Sequence, residues 1–171
     1  IKLFDLTGRV AIITGGSKGL GSAMAEGLAS AGANLLLTSR NQDEVEATAA
    51  QIQSDYGNKV IGMAADVTDP DQVTAMTERA ISEFGKIDIL INNAGINIRG
   101  PIDDITLEEF QDVQNVNVTG PWLCVRSVVP HMKKAQYGKI INLASTLGLV
   151  GMSNRTPYTS SKGAMVQMTR A

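Results

Sequence analysis

Tyr158 and Lys162 are the two residues whose types and spacing most directly suggest chemistry. They stand four positions apart, and on a helix this spacing places both side chains on one face. A free tyrosine has a pKa near ~10, so it exchanges protons poorly at neutral pH. An ammonium ion about 5 Å away favours the phenolate by about 3 kcal/mol at an effective dielectric constant near ~20. The pair therefore predicts an acid/base group, although an ordinary helix-surface pair has the same spacing.

A glycine-rich turn near the N-terminus is the second stretch that can do chemistry. Val10 to Ile13 predicts a strand and Ser22 to Ala31 predicts an alanine-rich helix. Glycines between them let backbone N–H groups approach a phosphate, and the helix N-terminus adds a positive dipole end. We expect a diphosphate site here, with a purely structural turn as the alternative. The residues assigned to it are Gly15, Ser17, Lys18, Gly19, Leu20 and Gly21.

The end of the second predicted strand, Asn34 to Leu37, bears on which dinucleotide fits. A carboxylate at this place accepts a hydrogen bond from the ribose 2′-hydroxyl of NAD. This chain has no carboxylate there and carries Arg40 instead. Arg40 and Lys18 are expected to converge on a 2′-phosphate, so NADP(H) is favoured over NAD(H). The alternative is that both cations are solvated surface charges.

Asp66 and Val67 follow the third predicted strand, Lys59 to Met63, and are assigned to the cofactor site. Asp66 can accept a hydrogen bond from an adenine amino group. It can equally cap the helix that starts at Asp69-Pro70. Both interpretations stay open at this point.

The fourth predicted strand, Ile87 to Ile91, leads into small and amide residues. Such residues allow close backbone approach and tie neighbouring strands through side-chain hydrogen bonds. They stand beside the place where the strand order is expected to reverse, which is where a cofactor crevice opens. The residues assigned to the cofactor site here are Asn93, Ala94 and Gly95.

The fifth predicted strand, Lys139 to Leu143, brings Ser145 to the same rim. Thr156 and Pro157 then predict an N-cap and a first helical position. The helix that begins there carries Tyr158, so the intervening loop can return the phenol towards Ser145. Taken alone, a serine at a strand end is an ordinary polar terminus.

The five apolar runs alternate with segments of helix length, which is typical of βαβ units around a parallel sheet. We therefore predict an α/β fold, a Rossmann-type doubly wound sheet in a single domain. The strands are apolar throughout, which predicts burial on both faces of the sheet.

A capping box at Thr106 to Glu109 opens a long helical segment that reaches about Met132. Gly120-Pro121 interrupts it, so we expect a kink near Asn117, where freed backbone groups can hold water. The part around Trp122 has more apolar residues than one stripe against a sheet requires. This surplus predicts a subunit contact, although deep burial would produce the same pattern.

Composition excludes several kinds of partner. The net charge is -2 and the basic residues are scattered, so no nucleic acid partner is expected. No apolar run reaches the ~20 residues of a membrane helix, and the N-terminal residues lack the apolar region of a signal peptide, so we expect a cytoplasmic protein without membrane contact. Cys124 and His131 are each the only residue of their type. We read them as a packed thiol and a helix-end residue, and we predict no metal site.

These residues together resemble the short-chain dehydrogenase/reductase family, and the likeness spans the whole chain. The positions that match in type, order and approximate spacing are Thr14, Gly15, Gly19, Gly21, Asn92, Asn93, Ala94, Gly95, Asn117, Ser145, Tyr158 and Lys162. The resemblance implies an NAD(P)-dependent enzyme that interconverts a secondary alcohol and a ketone. It also implies a homo-oligomer, a dimer or tetramer.

The resemblance also implies a role for each of four catalytic residues. Tyr158 would be the acid/base, and Ser145 would hydrogen-bond the substrate oxygen. Lys162 would stabilise the phenolate and hold the cofactor ribose, and Asn117 would support a proton relay through water. Tyr158 and Lys162 are both also assigned to the cofactor site. These roles agree with the chemistry of the residues, because Ser145 can donate to a developing alkoxide while Tyr158 transfers the proton.

The flanking stretches Leu3 to Gly8 and Leu20 to Ala29 look most like the gluconate 5-dehydrogenase branch. This likeness implies a small carbonyl or alcohol substrate such as gluconate or 5-ketogluconate. One alternative is a 3-oxoacyl-carrier-protein reductase-like enzyme. Another is a non-catalytic dinucleotide-sensing or scaffolding protein, against which the intact Ser145, Tyr158 and Lys162 argue.

Family members continue beyond the position of Ala171, through further strands and a loop that closes over the substrate. We therefore expect residues 1–171 to be a dinucleotide-binding catalytic domain whose C-terminal part is absent.

Arg99 and Arg155 are candidate substrate-binding cations. Arg99 lies four positions beyond Gly95, on the loop where the crevice is expected to open. Its guanidinium can clamp a carboxylate through two parallel hydrogen bonds. Arg155, three positions before Tyr158, is the competing anion site. A solvated loop arginine is the alternative for Arg99.

Overall fold

Five parallel strands form one sheet in a computed structural model that describes residues 2–171. The strands are β1 (Val10–Thr14), β2 (Asn34–Ser39), β3 (Val60–Ala64), β4 (Ile89–Asn92) and β5 (Lys139–Asn142). Their order across the sheet is β3-β2-β1-β4-β5, so the order reverses between β1 and β4. The predicted Rossmann-type doubly wound sheet is confirmed, and each strand lies within two residues of its predicted bounds.

Within residues 2–171, six α-helices accompany the strands, and short 3₁₀ turns occupy Lys2–Phe4 and Thr146–Gly148. The helices are α1 (Gly19–Ser30), α2 (Gln42–Tyr56), α3 (Pro70–Phe84), α4 (Leu107–Gln114), α5 (Gly120–Ala135) and α6 (Thr156–Arg170). The helix α1 begins three residues earlier than predicted, inside the glycine-rich turn. None of the helices in the described part of the chain is long and apolar enough to cross a membrane.

The central strand β1 feeds two separate apolar clusters because successive strand residues point to opposite faces. Ala11 and Ile13 pack in the cluster that α1 and α2 cover, and Ile12 packs in the cluster that α3 and α5 cover. Cys124 belongs to the second cluster and is fully buried, and this burial raises the pKa of its thiol to about 12. The interpretation of Cys124 as a packed thiol is confirmed.

The predicted burial of both faces of the sheet is wrong for the two outer strands, β3 and β5. β1, β2 and β4 are buried at nearly every position, whereas β3 is mostly half-buried and β5 is exposed at alternate residues. Ile141 of β5 is 48% exposed. In the described chain, β3 and β5 each have a neighbour on only one side, so less protein covers them.

The segment from Thr106 to Ala135 has the predicted start and the predicted distortion. The Thr106 hydroxyl accepts from the Glu109 N–H, and the Glu109 carboxylate accepts from the Thr106 N–H, which completes the capping box. Residues Asn115–Thr119 form a π-helical segment between α4 and α5. A π-helical turn of this kind shifts the positions of nearby side chains and is frequent at functional sites.

The structure decides between the alternatives for the start of α3 and corrects the predicted start of α6. Asp69, not Asp66, caps α3, and its carboxylate accepts from the N–H groups of Asp71 and Gln72. Thr156 is the first residue of α6 and not its N-cap, which is Arg155 without a capping side-chain bond. A serine or threonine before a proline predicts a cap from local pattern alone. The path of the preceding loop decides which residue leaves the helical conformation.

Asp88 is buried at the amino end of β4, opposite the rim where the candidate site lies. Its carboxylate accepts from Arg9 at 2.8 Å, from Lys86 at 3.0 Å and from the Val10 N–H at 2.9 Å. The Arg9 guanidinium also lies 4.0 Å from the centroid of the Tyr137 ring. This cluster connects the residues that precede β1 and β4 and so stabilises the centre of the sheet.

Candidate active site

In the glycine-rich turn between β1 and α1, the backbone at Gly21 packs directly against the backbone at Gly15. A Cβ on Gly21 would stand 2.0 Å from the carbonyl oxygen of Gly15, so only glycine fits there. Gly19 opens α1 with a φ of +61°, a left-handed value that favours glycine. No side chain caps α1, and no acidic residue stands in its first turn. Its first N–H groups and positive dipole end are therefore available to an anion.

Asn93 ties the end of β4 to this turn. Its side-chain amide donates to the carbonyl oxygens of Thr14 and Gly15, both at 3.0 Å. In return the Thr14 hydroxyl accepts from the N–H groups of Asn93 and Ala94, both at 3.1 Å. The expected cross-strand hydrogen bonds are present, and they hold the two strands at the point where the strand order reverses.

A cavity of about 590 Å³ opens along this reversal point. That volume lies within the ~300–1,000 Å³ usual for ligand sites. Ten of the predicted cofactor residues line it: Gly15, Ser17, Lys18, Leu20, Arg40, Asp66, Val67, Asn93, Ala94 and Gly95. Four others do not line it: Gly19, Gly21, Tyr158 and Lys162. Gly21 shapes the turn from behind, and Tyr158 and Lys162 lie on α6.

The structure also brings residues to this cavity that sequence reasoning missed. They are Ser39, Asn41, Glu44, Ala65, Ile96 and Val116. Glu44 is the most consequential because its carboxylate lies 3.4 Å from the Lys18 ammonium. Glu44 stands in the first turn of α2, five positions beyond the end of β2. The sequence argument considers only the strand end, where a carboxylate reaches the ribose hydroxyl.

Asp66 faces the cavity and is already hydrogen-bonded within its own loop. Its carboxylate accepts from the Thr68 N–H at 2.9 Å and from the Thr68 hydroxyl at 2.8 Å. The idea that Asp66 caps α3 is wrong, because Asp69 does so. Its assignment to the adenine pocket therefore stays a prediction, with its position on the cavity wall in favour.

Asn117 lies buried in the π-helical segment, and its side-chain amide is fully engaged. The oxygen accepts from the Ile96 N–H at 2.8 Å, and the nitrogen donates to the Ile96 carbonyl at 2.9 Å. The same nitrogen donates to the Ser161 hydroxyl at 3.0 Å, which in turn donates to the Tyr158 carbonyl at 2.7 Å. Asn117 therefore joins the loop after β4 to the helix that carries Tyr158.

Lys162 is the buried cation of the site. It is 6% exposed, and its ammonium lies 5.5 Å from the centroid of the Tyr158 ring. The ammonium donates to the carbonyl oxygen of Leu143, just past β5. Burial lowers the pKa of Lys162. The two side chains thus share the helix face that their spacing predicts.

Ser145 reaches the same rim through a tight turn. Its hydroxyl oxygen accepts from the Leu147 N–H at 3.2 Å, which caps the 3₁₀ turn Thr146–Gly148. A Cβ on Gly148 would stand 2.6 Å from the carbonyl oxygen of Lys162, so this turn packs directly on α6. The hydroxyl proton of Ser145 stays free for another acceptor within this arrangement.

Arg99 and Arg155 lie outside the cavity, on two loops that touch. The Gly100 N–H donates to the Asn154 carbonyl at 3.3 Å, so each arginine is the chain neighbour of one partner in this bond. Arg99 is exposed and Arg155 is half-buried. Neither forms an ion pair with a carboxylate in residues 2–171. Arg155 makes one long hydrogen bond, to the Asn154 carbonyl at 3.4 Å.

The residues present fit a nicotinamide dinucleotide. The uncapped N-terminus of α1 and the glycine turn suit a diphosphate, and the cavity beyond β2 offers Arg40 and Asp66 to an adenosine. A parallel sheet with this strand order and this turn defines the Rossmann class of nucleotide-binding folds. The tyrosine and the buried lysine on α6 have the arrangement expected of an acid/base pair.

Residues 9–171 match the short chain dehydrogenase family, to which this chain belongs. Similar proteins include 2-dehydro-3-deoxy-D-gluconate 5-dehydrogenase of Formosa agariphila, 34% identical over 99% of this chain and 64% of its own. Gluconate 5-dehydrogenase of Gluconobacter oxydans is 34% identical over 98% of this chain and 65% of its own. The 3-oxoacyl-(acyl-carrier-protein) reductase of Vibrio cholerae is 35% identical over 98% of this chain and 67% of its own.

Among solved structures, that of NAD+-bound xylitol dehydrogenase superposes with a TM-score of 0.93 at 33% identity. The match covers 96% of this chain and 63% of the other. The chain therefore spans about two thirds of the length of the proteins that it matches. These similarities confirm the family resemblance and support the expectation that the chain belongs to an enzyme.

Proposed function

We propose that this protein is an NADP(H)-dependent oxidoreductase that interconverts a secondary alcohol and a ketone, with Tyr158 as the acid/base. The observation that carries the proposal is the Lys162 ammonium, buried and 5.5 Å from the Tyr158 ring centroid. Within residues 2–171 this ammonium has one protein acceptor, the Leu143 carbonyl, and a buried ammonium favours a negative charge nearby. Membership of the short chain dehydrogenase family points to the same chemistry.

When bound, the nicotinamide cofactor supplies or accepts the hydride. In the direction of reduction, the Tyr158 hydroxyl donates its proton to the carbonyl oxygen of the substrate, which becomes an alcohol. Ser145 donates a hydrogen bond to the same oxygen while negative charge develops there. Lys162 then stabilises the resulting phenolate. In the direction of oxidation, the phenolate removes the hydroxyl proton.

Asn117 acts by positioning in this scheme. Its amide is occupied by Ile96 and Ser161, so it holds the loop after β4 against the helix of Tyr158. The proton relay through water, which family resemblance suggests, would then use the backbone of the π-helical segment. The glycine turn, Asn93 and the cavity wall would hold the dinucleotide.

A screen of reductant consumption tests the proposed reaction. NADPH and NADH oxidation is followed with keto-sugar acids, uncharged keto-sugars and acyl thioesters. We expect turnover with the keto-sugar acids, because two of the similar proteins are sugar-acid dehydrogenases by name. Turnover restricted to acyl thioesters would favour the alternative, a 3-oxoacyl-carrier-protein reductase, which also has a similar protein. Absence of turnover with every class would count against an oxidoreductase and leave the sensing or scaffolding role.

Arg99→Ala is expected to lower kcat/KM for a keto-acid substrate by the equivalent of about 1.5–3 kcal/mol, because a charge-assisted contact to the carboxylate is lost. The contact between the loops of Arg99 and Arg155 supports a shared anion site, because it places the two arginines on adjacent chain segments. An uncharged ketone of similar size should lose little. Arg155→Ala measured in parallel shows which arginine binds the carboxylate. Equal losses on charged and uncharged substrates would contradict the clamp.

Arg40→Asp is expected to shift cofactor preference from NADP(H) towards NAD(H). The substitution removes a charge-assisted contact to the 2′-phosphate worth about 1.5–3 kcal/mol and puts a carboxylate in its place. Dissociation constants for NADPH and NADH, measured by fluorescence titration, provide the comparison. Tighter binding of NADH by the unaltered protein would refute the preference inferred from the missing strand-end carboxylate.

A homo-oligomer that packs through the helices of Trp122 and Tyr158 is part of the proposal. Trp122 is 48% exposed on α5, and Phe110 of the adjoining α4 is 36% exposed. Such apolar exposure suits a subunit contact. Light scattering at micromolar concentration should give the mass of a dimer or tetramer, and a monomer mass would disprove it.

The cytoplasmic location stays a prediction.

A further inference from the structure

Glu44 lines the same cavity as Lys18 and Arg40, the two cations expected to bind the 2′-phosphate that distinguishes NADP from NAD. It lies in the first turn of α2, beside the cavity that Lys18 and Arg40 also line. Its carboxylate accepts from the Lys18 ammonium at 3.4 Å and from the Ser17 hydroxyl at 3.5 Å. One of the two cations expected to bind a 2′-phosphate is therefore already paired with an anion.

The position of Glu44 is held by the fold around it. The Asn41 side chain caps α2 by accepting from the Glu44 N–H at 3.2 Å. One turn later, the Thr48 hydroxyl bridges the carbonyl oxygens of Ser17 and Glu44 at 2.8 and 2.9 Å. These contacts fasten the start of α2 to the glycine-rich turn. They hold the backbone of Glu44 where its carboxylate reaches the Lys18 ammonium.

We propose that Glu44 discriminates between the two cofactors by opposing a 2′-phosphate and competing with it for Lys18. A dianionic phosphate beside Arg40 must approach this carboxylate or displace it from Lys18, and like charges repel. The 2′-hydroxyl of NAD is neutral, so Glu44 does not repel it. Glu44 thus narrows the NADP(H) preference that Arg40 and Lys18 create. The inference rests on dinucleotide binding, which is part of the proposed function.

Replacing Glu44 by Gln tests this idea, because the side chain keeps its length and loses only its charge. The affinity for NADPH should rise about fivefold to tenfold, a modest gain because salt and solvent screen a half-exposed carboxylate. The affinity for NADH should change less than about twofold. The same contrast is expected between adenosine 2′,5′-bisphosphate and 5′-AMP, measured by calorimetry without any turnover. Binding affinity is the readout throughout.

The matched control is Glu46→Gln, on the same helix but outside the cavity, where Glu46 accepts from Gln42. It should leave both affinities unchanged. In a Lys18→Gln background, the gain from Glu44→Gln should shrink because the contested cation is gone. Equal changes for NADPH and NADH, no change, or the same gain with Glu46→Gln would overturn the inference. If the protein binds neither NADPH nor NADH, both this inference and the proposed function are wrong. If the two affinities show the expected contrast but no substrate is turned over, only the proposed reaction is contradicted.

Discussion

Replacing Tyr158 by Phe is expected to lower kcat by about a hundredfold to ten-thousandfold, the range usual for loss of a general acid/base group. The phenol oxygen is the only heavy atom removed. Lys162 keeps its bond to the Leu143 carbonyl, and the bond from Ser161 reaches only the backbone of residue 158. The dissociation constant for NADPH should therefore stay within about twofold of the wild-type value. Steady-state kinetics and fluorescence titration give the two quantities.

A matched control is Tyr56→Phe, which removes a phenol oxygen at the exposed end of α2, far along the chain from α6. This variant should keep full turnover. Near-normal kcat for Tyr158→Phe would remove Tyr158 from the acid/base role. A large loss of NADPH affinity would instead show that the phenol mainly holds the cofactor.

Asp88→Asn is expected to lower the free energy of unfolding by about 2–4 kcal/mol, because the substitution leaves two cations beside a neutral amide. The Asp88 side chain is 6% exposed, while those of Arg9 and Lys86 are 37% and 43% exposed. Water can reach the two cations after the change, so the cost stays below that of a wholly buried pair. Urea unfolding at pH 7 measures it. Asp55→Asn on the surface of α2 is the control and should change little.

The same carboxylate predicts a dependence on pH. Burial alone would raise the pKa of Asp88, but hydrogen bonds from Arg9, from Lys86 and from the Val10 N–H outweigh this and lower it. A lowered native pKa means that the stabilisation is present above the unfolded value, near ~3.9, and is lost as pH falls through the native pKa. The gap in unfolding free energy between wild type and Asp88→Asn should therefore shrink below about pH 4. A constant gap down to pH 2 would show that Asp88 acts through packing rather than charge.

Much of this fold follows from the amino-acid sequence by itself. The apolar runs predicted all five strands, and the run from Thr106 to Glu109 predicted the capping box. The glycine spacing predicted a tight turn into α1, and Gly120-Pro121 predicted the distortion at Asn117. These features depend on nearest neighbours along the chain: side-chain periodicity, local hydrogen bonds and permitted backbone angles. The Tyr158 and Lys162 pair belongs with them, because one helical turn sets its separation.

Only the tertiary structure decided which groups meet across the chain. The engagement of Asn117 with Ile96 and Ser161 joins residues 21 and 44 positions apart. The pairing of Lys18 with Glu44 spans 26 positions. No local pattern encodes such contacts, since they depend on how strands are ordered and how helices pack on them. The exposure of β5 has the same origin, because an apolar sequence predicts a buried strand but only the assembled sheet determines what covers it.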